Sequence, residues 1–337
     1  MTRVSLASAC ALMLWVALDV AALRAHAQSC CSLVSEDELS VVPPRRRAVV
    51  TSRFSAKQML FLHDSEGRSH PLGEDVSATD LALAVGGGLR LPFYDRLQLH
   101  GTMPVRAQLR TLPSSDAERD TATALGAGDA SLFVRWSALF DDERGLLGDD
   151  SSLQPSLDLF AGAKLPTGRH VEGPRARDLA RTMGDGSTAL VVGMSALKYI
   201  TSTQGARLSL RFVHPLARDS DPAGTGYEAF TPGDQLGVTA GYWLLEGMHW
   251  LFGAALDSTW TFASSARAPG EPERSLSNTE MHQTSIGLQL TRVLRMPDLD
   301  LTAGLGADLP LPSVSANVSW EGVQASIALR YHFLGEP

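Results

Sequence analysis

Residues 131–140 read "SLFVRWSALF". Leu132, Val134, Trp136, Ala138 and Phe140 fall on one side of a two-residue repeat, and Ser131, Arg135 and Ser137 fall on the other. Side chains alternate across a pleated strand, whereas a helix would scatter these polar and apolar groups over both faces. The same period returns in "DLDLTAGLGADLPL" (Asp298 to Leu311), where Leu299, Leu301, Ala303, Leu305, Ala307 and Leu309 oppose Asp300, Thr302, Gly304, Gly306 and Asp308.

Followed in both directions, the alternation predicts about twelve strands, with ends good to a few residues. They lie near 49–63, 76–91, 94–112, 124–140, 153–165, 184–200, 206–217, 234–246, 249–263, 279–295, 298–311 and 321–334. Long polar connections such as "PSSDAERDTAT" and "ARAPGEPERSLSN" follow the odd strands. Short turns such as "TSTQG" and "EGMH" follow the even ones, with "DDERGLLGDDSS" after the fourth as the exception. Outer-membrane barrels alternate in this way, with long loops outside and short turns in the periplasm. Backbone groups in hydrocarbon must all be paired, so such a sheet has to close. The expected fold is therefore all-β, a closed antiparallel transmembrane barrel over residues 49–334.

The N-terminus carries its own signal. Arg3 precedes the apolar run "LASACALMLWVAL" (Leu6 to Leu18), and "AHA" (Ala25 to Ala27) fits a small-x-small cleavage site. Residues 1–27 are expected to be a signal peptide, and 28–48 a periplasmic lead-in broken by prolines and ending in "RRR". The apolar run is shorter than the ~20 residues a helical span needs. Export followed by insertion through strands places the mature protein in the bacterial outer membrane. Cys30 and Cys31 stand just inside the expected mature start and supply no disulfide framework. A vicinal disulfide, an intermolecular link, a redox or metal pair, lipidation and a plain tail all remain open for them.

The chain has 337 residues with 44% hydrophobic and 20% charged side chains, and a formal net charge of −8. That balance argues against nucleic acid as a partner, for which a basic patch is expected. A mean hydropathy of −0.02 is compatible with a barrel, because only alternate residues face lipid. The last strand, "VQASIALRYHF", sets Val323, Ala325, Ile327, Leu329, Tyr331 and Phe333 on one face. It is similar to the terminal strand that outer-membrane assembly machinery recognises, although "LGEP" follows Phe333. Lipid, that machinery and a small-molecule solute are the partners expected.

Three short motifs occur in order: Gly128–Asp129, Leu165–Gly168 ("LPTG") and Gly184–Ser187 ("GDGS"). In this order the segment 126–200 resembles the family of bacterial outer-membrane barrels named for the meta-pathway of phenol degradation. The clear match covers about a quarter of the chain, and the rest agrees only in strand pattern. The resemblance implies an outer-membrane transporter or channel, linked in some members to aromatic compounds.

If the apolar faces meet lipid, the opposite faces line a lumen. Alternation then assigns to it His100, Arg106, Arg110, Arg135, Asp158, Lys164, Arg207, Arg211, Asp257, Asp300, Asp308 and Arg330. A charge at the lipid midplane would cost ~2–4 kcal/mol, so the inward assignment is the cheaper one. Basic groups concentrate on strands three to seven and acidic ones on nine and eleven. This suggests either a basic wall facing an acidic one or a set of pairs that plugs a narrow barrel. Passage of a small, hydrophobic or aromatic solute is the expected function, and a plugged barrel with a structural or adhesive surface role is the alternative. A rim-located hydrolase is the competing enzyme class. No G-x-S-x-G elbow, no H-E-x-x-H pair and no EF-hand spacing supports it, and no cofactor is implied. "LPTG" is not a sorting tag, because Pro166 and Thr167 are adjacent and lie mid-chain.

Overall fold

A computed structural model of the chain describes residues 42, 46–63, 69–73, 76–91, 94, 96–113, 119–139, 155–169, 183–184, 186–201, 203–219, 229–246, 250–276, 280–294, 299–309 and 320–334. The expected signal peptide, Cys30 and Cys31 and most of the longer connections lie outside them. The barrel strands are β1 (Arg46–His63), β2 (Ser77–Arg90), β3 (Leu97–Pro113), β4 in two segments (Arg119–Ala127 and Ala130–Leu139), β5 (Ser156–Leu165), β6 (Ala189–Thr201), β7 (Gln204–Pro215), β8 (Gln235–Glu246), β9 (Trp250–Thr261), β10 (Met281–Val293), β11 (Leu299–Leu309) and β12 (Trp320–Leu334). Each pairs antiparallel with its neighbour in the chain, and β12 pairs with β1 from Arg46↔Leu334 to Leu62↔Trp320. The result is a closed twelve-strand antiparallel barrel, with no sheet edge to expose unpaired backbone along the wall.

Two small additions sit on the connections. Ser69–Pro71 folds back onto the end of β1 at Phe61–His63. Arg218–Asp219, Ala229–Thr231, Ser265–Arg267 and Arg274–Ser275 form a separate four-stranded sheet from the β7–β8 and β9–β10 connections.

The barrel is polar inside and apolar outside. Thr51, Arg53, Gln98, His100, Thr102, Ser195, Ser209, Gln289, Thr291 and Asp300 are buried, while Leu83, Val85, Leu132, Val192, Leu208, Leu288 and Ile327 are exposed. A soluble β-sandwich would bury the second set. Trp136, Tyr242, Trp260, Phe262, Tyr331 and Phe333 are also outward and exposed, in the manner of an aromatic girdle.

β4 departs from the sequence expectation. It starts at Arg119 and is broken at Gly128–Asp129, where a continuous strand 124–140 was expected. Leu125 and Leu132 both point outward, at 76% and 57% exposure, although they stand an odd number of positions apart. An uninterrupted two-residue repeat forbids this, so the chain carries one extra residue between them, a β-bulge. Against β3, Arg106 faces Gly126 and Thr102 faces Ser131, which locates the slip.

The three ordered motifs meet at this bulge. β5 ends at Leu165, opposite Ala130, because Pro166 has no N–H for the ladder. Thr167 then replaces the next ladder step with its side chain. Its hydroxyl donates to the Gly128 carbonyl at 2.7 Å and accepts from the Ala130 N–H at 2.8 Å. The Gly168 N–H donates to the Asp129 carboxylate at 3.0 Å, and Lys164 Nζ lies 3.6 Å from the same group. Gly184 closes the knot: a Cβ there would lie 2.0 Å from Asp129 Oδ1, so no side chain fits.

Candidate functional site

The lumen has two unlike walls. Along β3 to β8 it is filled. His100 stacks on Phe133 with ring centroids 5.2 Å apart, and Phe133 meets Phe160 edge-on at 6.3 Å. Phe133, Ala189, Val191 and Val213 form an apolar cluster with Phe160 packed against it. These rings lie over glycines of the next strand. A Cβ on Gly162 would approach Phe133 Cδ1 to 2.4 Å, one on Gly193 would approach Phe160 Cζ to 2.3 Å, and one on Gly205 would approach Trp243 Cζ2 to 2.3 Å.

At Gly241 on β8 and Gly306 on β11 the inward face is less crowded. A Cβ on Gly241 would find its nearest atom at 3.6 Å, and one on Gly306 at 3.5 Å, both backbone carbonyl oxygens. Beside Gly306 a hollow opens along β10 to β12 and β1, with Arg53, Ser285, Gly304, Gly306, Asp308, Gln324 and Ser326 in its lining.

The sequence-assigned charges fall as follows. His100 and Arg135 are buried, and Arg135 pairs with Asp158 at 3.2 Å while its guanidinium covers Phe160 at 5.3 Å. Arg110 is buried and forms an ion pair with Asp80. Arg106 lies against Gly128 at the bulge, 3.2 Å from where its Cβ would be. Lys164 reaches Asp129. Arg207 Nε donates to Ser195 Oγ at 3.1 Å, and Arg211 stands beside Gly237. Asp257 accepts from Thr239 Oγ1 at 2.6 Å. Asp300 contacts His332 Nε2 at 2.7 Å, both side chains being 6% exposed, and Asp308 pairs with Lys57 at 2.6 Å. Arg330 stands on β12 between buried Ala328 and His332.

Arg110, Arg135, Lys164, Asp300 and Asp308 therefore meet partners on adjacent or next-but-one strands. Asp300 and Asp308, expected on an acidic face, are held by β12 and β1. Sequence reading passed over Arg53, Lys57 and Asp80, and it treated Asp129 only as part of a motif. The signal for Arg53 and Lys57 was present, since both share parity with the buried Val49 and Thr51. It was blurred because Ser52 and Ala56 dilute the outward face of β1.

Val42, ahead of β1, lies in one mouth of the barrel. Val42 is 1% exposed. Its N–H donates to Gln98 Oε1 at 3.0 Å, and its carbonyl accepts from Arg90 Nη2 at 3.2 Å. Among the described residues no group of three or more His, Cys, Asp or Glu could hold a metal ion.

No protein-family model matches the chain, and no curated protein does. Solved structures do. The COG4313 outer membrane channel from Pseudomonas putida F1 superposes with a TM-score of 0.66 at 11% identity, over 89% of this chain and 100% of that one. The fold is that of an outer-membrane β-barrel. The translocator domain of the autotransporter NalP from Neisseria meningitidis reaches 0.46 at 11% identity, over 88% and 91% of the two chains. The CymD monoaromatic hydrocarbon channel reaches 0.40 at 8% identity, over 86% and 90%. The last two are too distant for argument.

Proposed function

We propose that the chain is a bacterial outer-membrane channel for small solutes and carries no catalytic activity. One observation supports this above the others. The closed wall is polar inside and apolar outside, and its lining on β10 to β12 leaves a hollow beside Gly304 and Gly306. A solid plug would need large side chains all round, and β11 instead presents Gly304 and Gly306 to the lumen. In this reading the end bearing both barrel termini faces the periplasm, the longer connections face outward, and residues 1–27 are removed on export. The ordered motifs place the chain beside the meta-pathway barrel family, and the likeness to an outer membrane channel supports the transport role without naming its solute.

The alternative of a plugged barrel draws on the Phe133 cluster and on Val42 in one mouth. Single-channel recording of the refolded protein in a planar bilayer separates the two. Small discrete openings are expected, and silence in bilayers together with no swelling of solute-loaded liposomes would refute the channel.

The hydrolase reading has one pair to consider. Ser258 Oγ lies 2.8 Å from His282 Nε2 on the outward face, with Thr284 Oγ1 3.0 Å from the serine and the Trp260 ring stacked on the imidazole. The residues around Ser258 are paired on both sides, with β8 and with β10. Their N–H groups are thus spent on the ladder and cannot stabilise an oxyanion. The pair is a satisfied polar patch at the level of the aromatic girdle.

A further inference from the structure

We infer that the glycine-floored hollow on β10 to β12 is a binding shelf for a small planar molecule that carries a carboxylate, a step on the path of the channel proposed above. The floor comes from the chain itself. Gly306 faces Gly287 on one side and Gln324 on the other, and Gly304 faces Gln289 and Ser326. Inward Cβ atoms are missing at Gly287 and Gly306, so peptide planes of β10 and β11 form the floor, and the Ser326 hydroxyl borders it over Gly304, 2.8 Å from where a Cβ would be. Neighbouring strands lie ~4.8 Å apart, so the two give a flat strip on the scale of a single ring. A flat ring can lie on such a strip in full van der Waals contact, whereas a puckered ring touches it at fewer atoms.

The rim supplies the second half of the specificity. The Arg53 guanidinium, held to Ser326 Oγ at 3.3 Å, borders the hollow together with the Gln324 amide. These are donors that suit a carboxylate. The acid in the lining is already engaged: Asp308 takes Lys57 at 2.6 Å and the Gly322 N–H at 2.9 Å. Its charge is thereby offset, and it does not repel an anion laid on the floor.

The test uses the full-length mature protein in detergent, with benzoate as ligand and cyclohexanecarboxylate as a comparator of equal charge that is not planar. Equilibrium binding is measured by calorimetry, independently of conductance. Benzoate is expected to bind about tenfold or more tightly than the comparator, the ratio that 1.4 kcal/mol represents. Gly306→Leu fills the shelf and should abolish benzoate binding. Gly241→Leu narrows the lumen equally from β8 and should leave binding within about twofold. Each variant is first shown to be folded by its shift in gel mobility on heating.

Equal affinity for the two acids, equal loss in the two variants, or no benzoate binding to the unmodified protein would each overturn the shelf. Binding without conductance would retain the shelf and refute the channel. Conductance without binding would do the reverse.

Discussion

Thr167 offers the sharpest test of how β4 tolerates its bulge. Thr167→Val keeps the branched shape and removes the hydroxyl, which serves the Gly128 carbonyl at 2.7 Å and the Ala130 N–H at 2.8 Å. Both backbone groups then lose their partner where β5 has already ended at Leu165. A backbone group deprived of its hydrogen bond costs ~1–3 kcal/mol when buried. The Thr167 side is partly open to solvent, so water recovers some of that, and the expected loss is about 2 kcal/mol for the pair. Thr167→Ser restores the hydroxyl and should recover most of the stability. The assay is urea unfolding from lipid vesicles followed by tryptophan fluorescence, with hydrogen exchange at the Ala130 amide as a local probe. If Val and Ser variants unfold within about 0.5 kcal/mol of one another, the hydroxyl does not hold the bulge.

Three further outcomes follow from named contacts. Gly184→Ala places a methyl 2.0 Å from Asp129 Oδ1. It should cost ~1–3 kcal/mol by overpacking, measured in the same unfolding assay. Val192→Lys sets a charge on the lipid face at a residue 51% exposed. This should cost ~2–4 kcal/mol if the position lies near the midplane, whereas the uncharged Val192→Thr should cost far less. Phe133→Ala removes a ring that is 2% exposed and covers Gly162. It should raise single-channel conductance and destabilise the barrel by up to ~3–5 kcal/mol, the range for Phe→Ala in a dry core. Unchanged conductance would show that the filled wall does not set the bore.

The strand count and the inside-out arrangement were legible because each depends only on alternation. In 131–139 every second residue is large and apolar, and no competing period exists. The bulge was not legible, because "LGAGDAS" offers only small residues around the slip and gives alternation nothing to measure. The exposures of Leu125 and Leu132 and the register against β3 reveal the missed phase. The lumen shows the same division. Alternation groups Arg135, Asp158 and Lys164 with the buried side, since each needs only its own strand. Which acid meets which base depends on register between strands. Lys57 finds Asp308 because closure brings β1 beside β12, while β11 lies on the other side of that strand. Nothing local to either residue carries that information.

Strand number fixes the circumference of a barrel, so the bore depends on what the inward side chains do. Here the large ones lie flat against the wall, because the next strand offers a glycine beneath each ring. Trp243 over Gly205 is the clearest case. A Cβ on Gly205 would meet Trp243 Cζ2 at 2.3 Å, Cε2 at 2.4 Å and Nε1 at 2.8 Å, all in one side chain. Gly205→Ala therefore displaces the indole rather than the backbone. Tyr199 stands edge-on to that ring at 5.2 Å on the side of β6, so the free direction is into the lumen. The variant should keep its fold at a cost of ~1–3 kcal/mol and pass less current, although it adds only one methyl. If glycines were present merely to relieve crowding in a curved sheet, the same substitution would destabilise the barrel and leave the conductance of the folded fraction unchanged. Conductance and unfolding midpoint, read on the same preparation, therefore decide between a glycine that shapes the bore and one that only eases the wall.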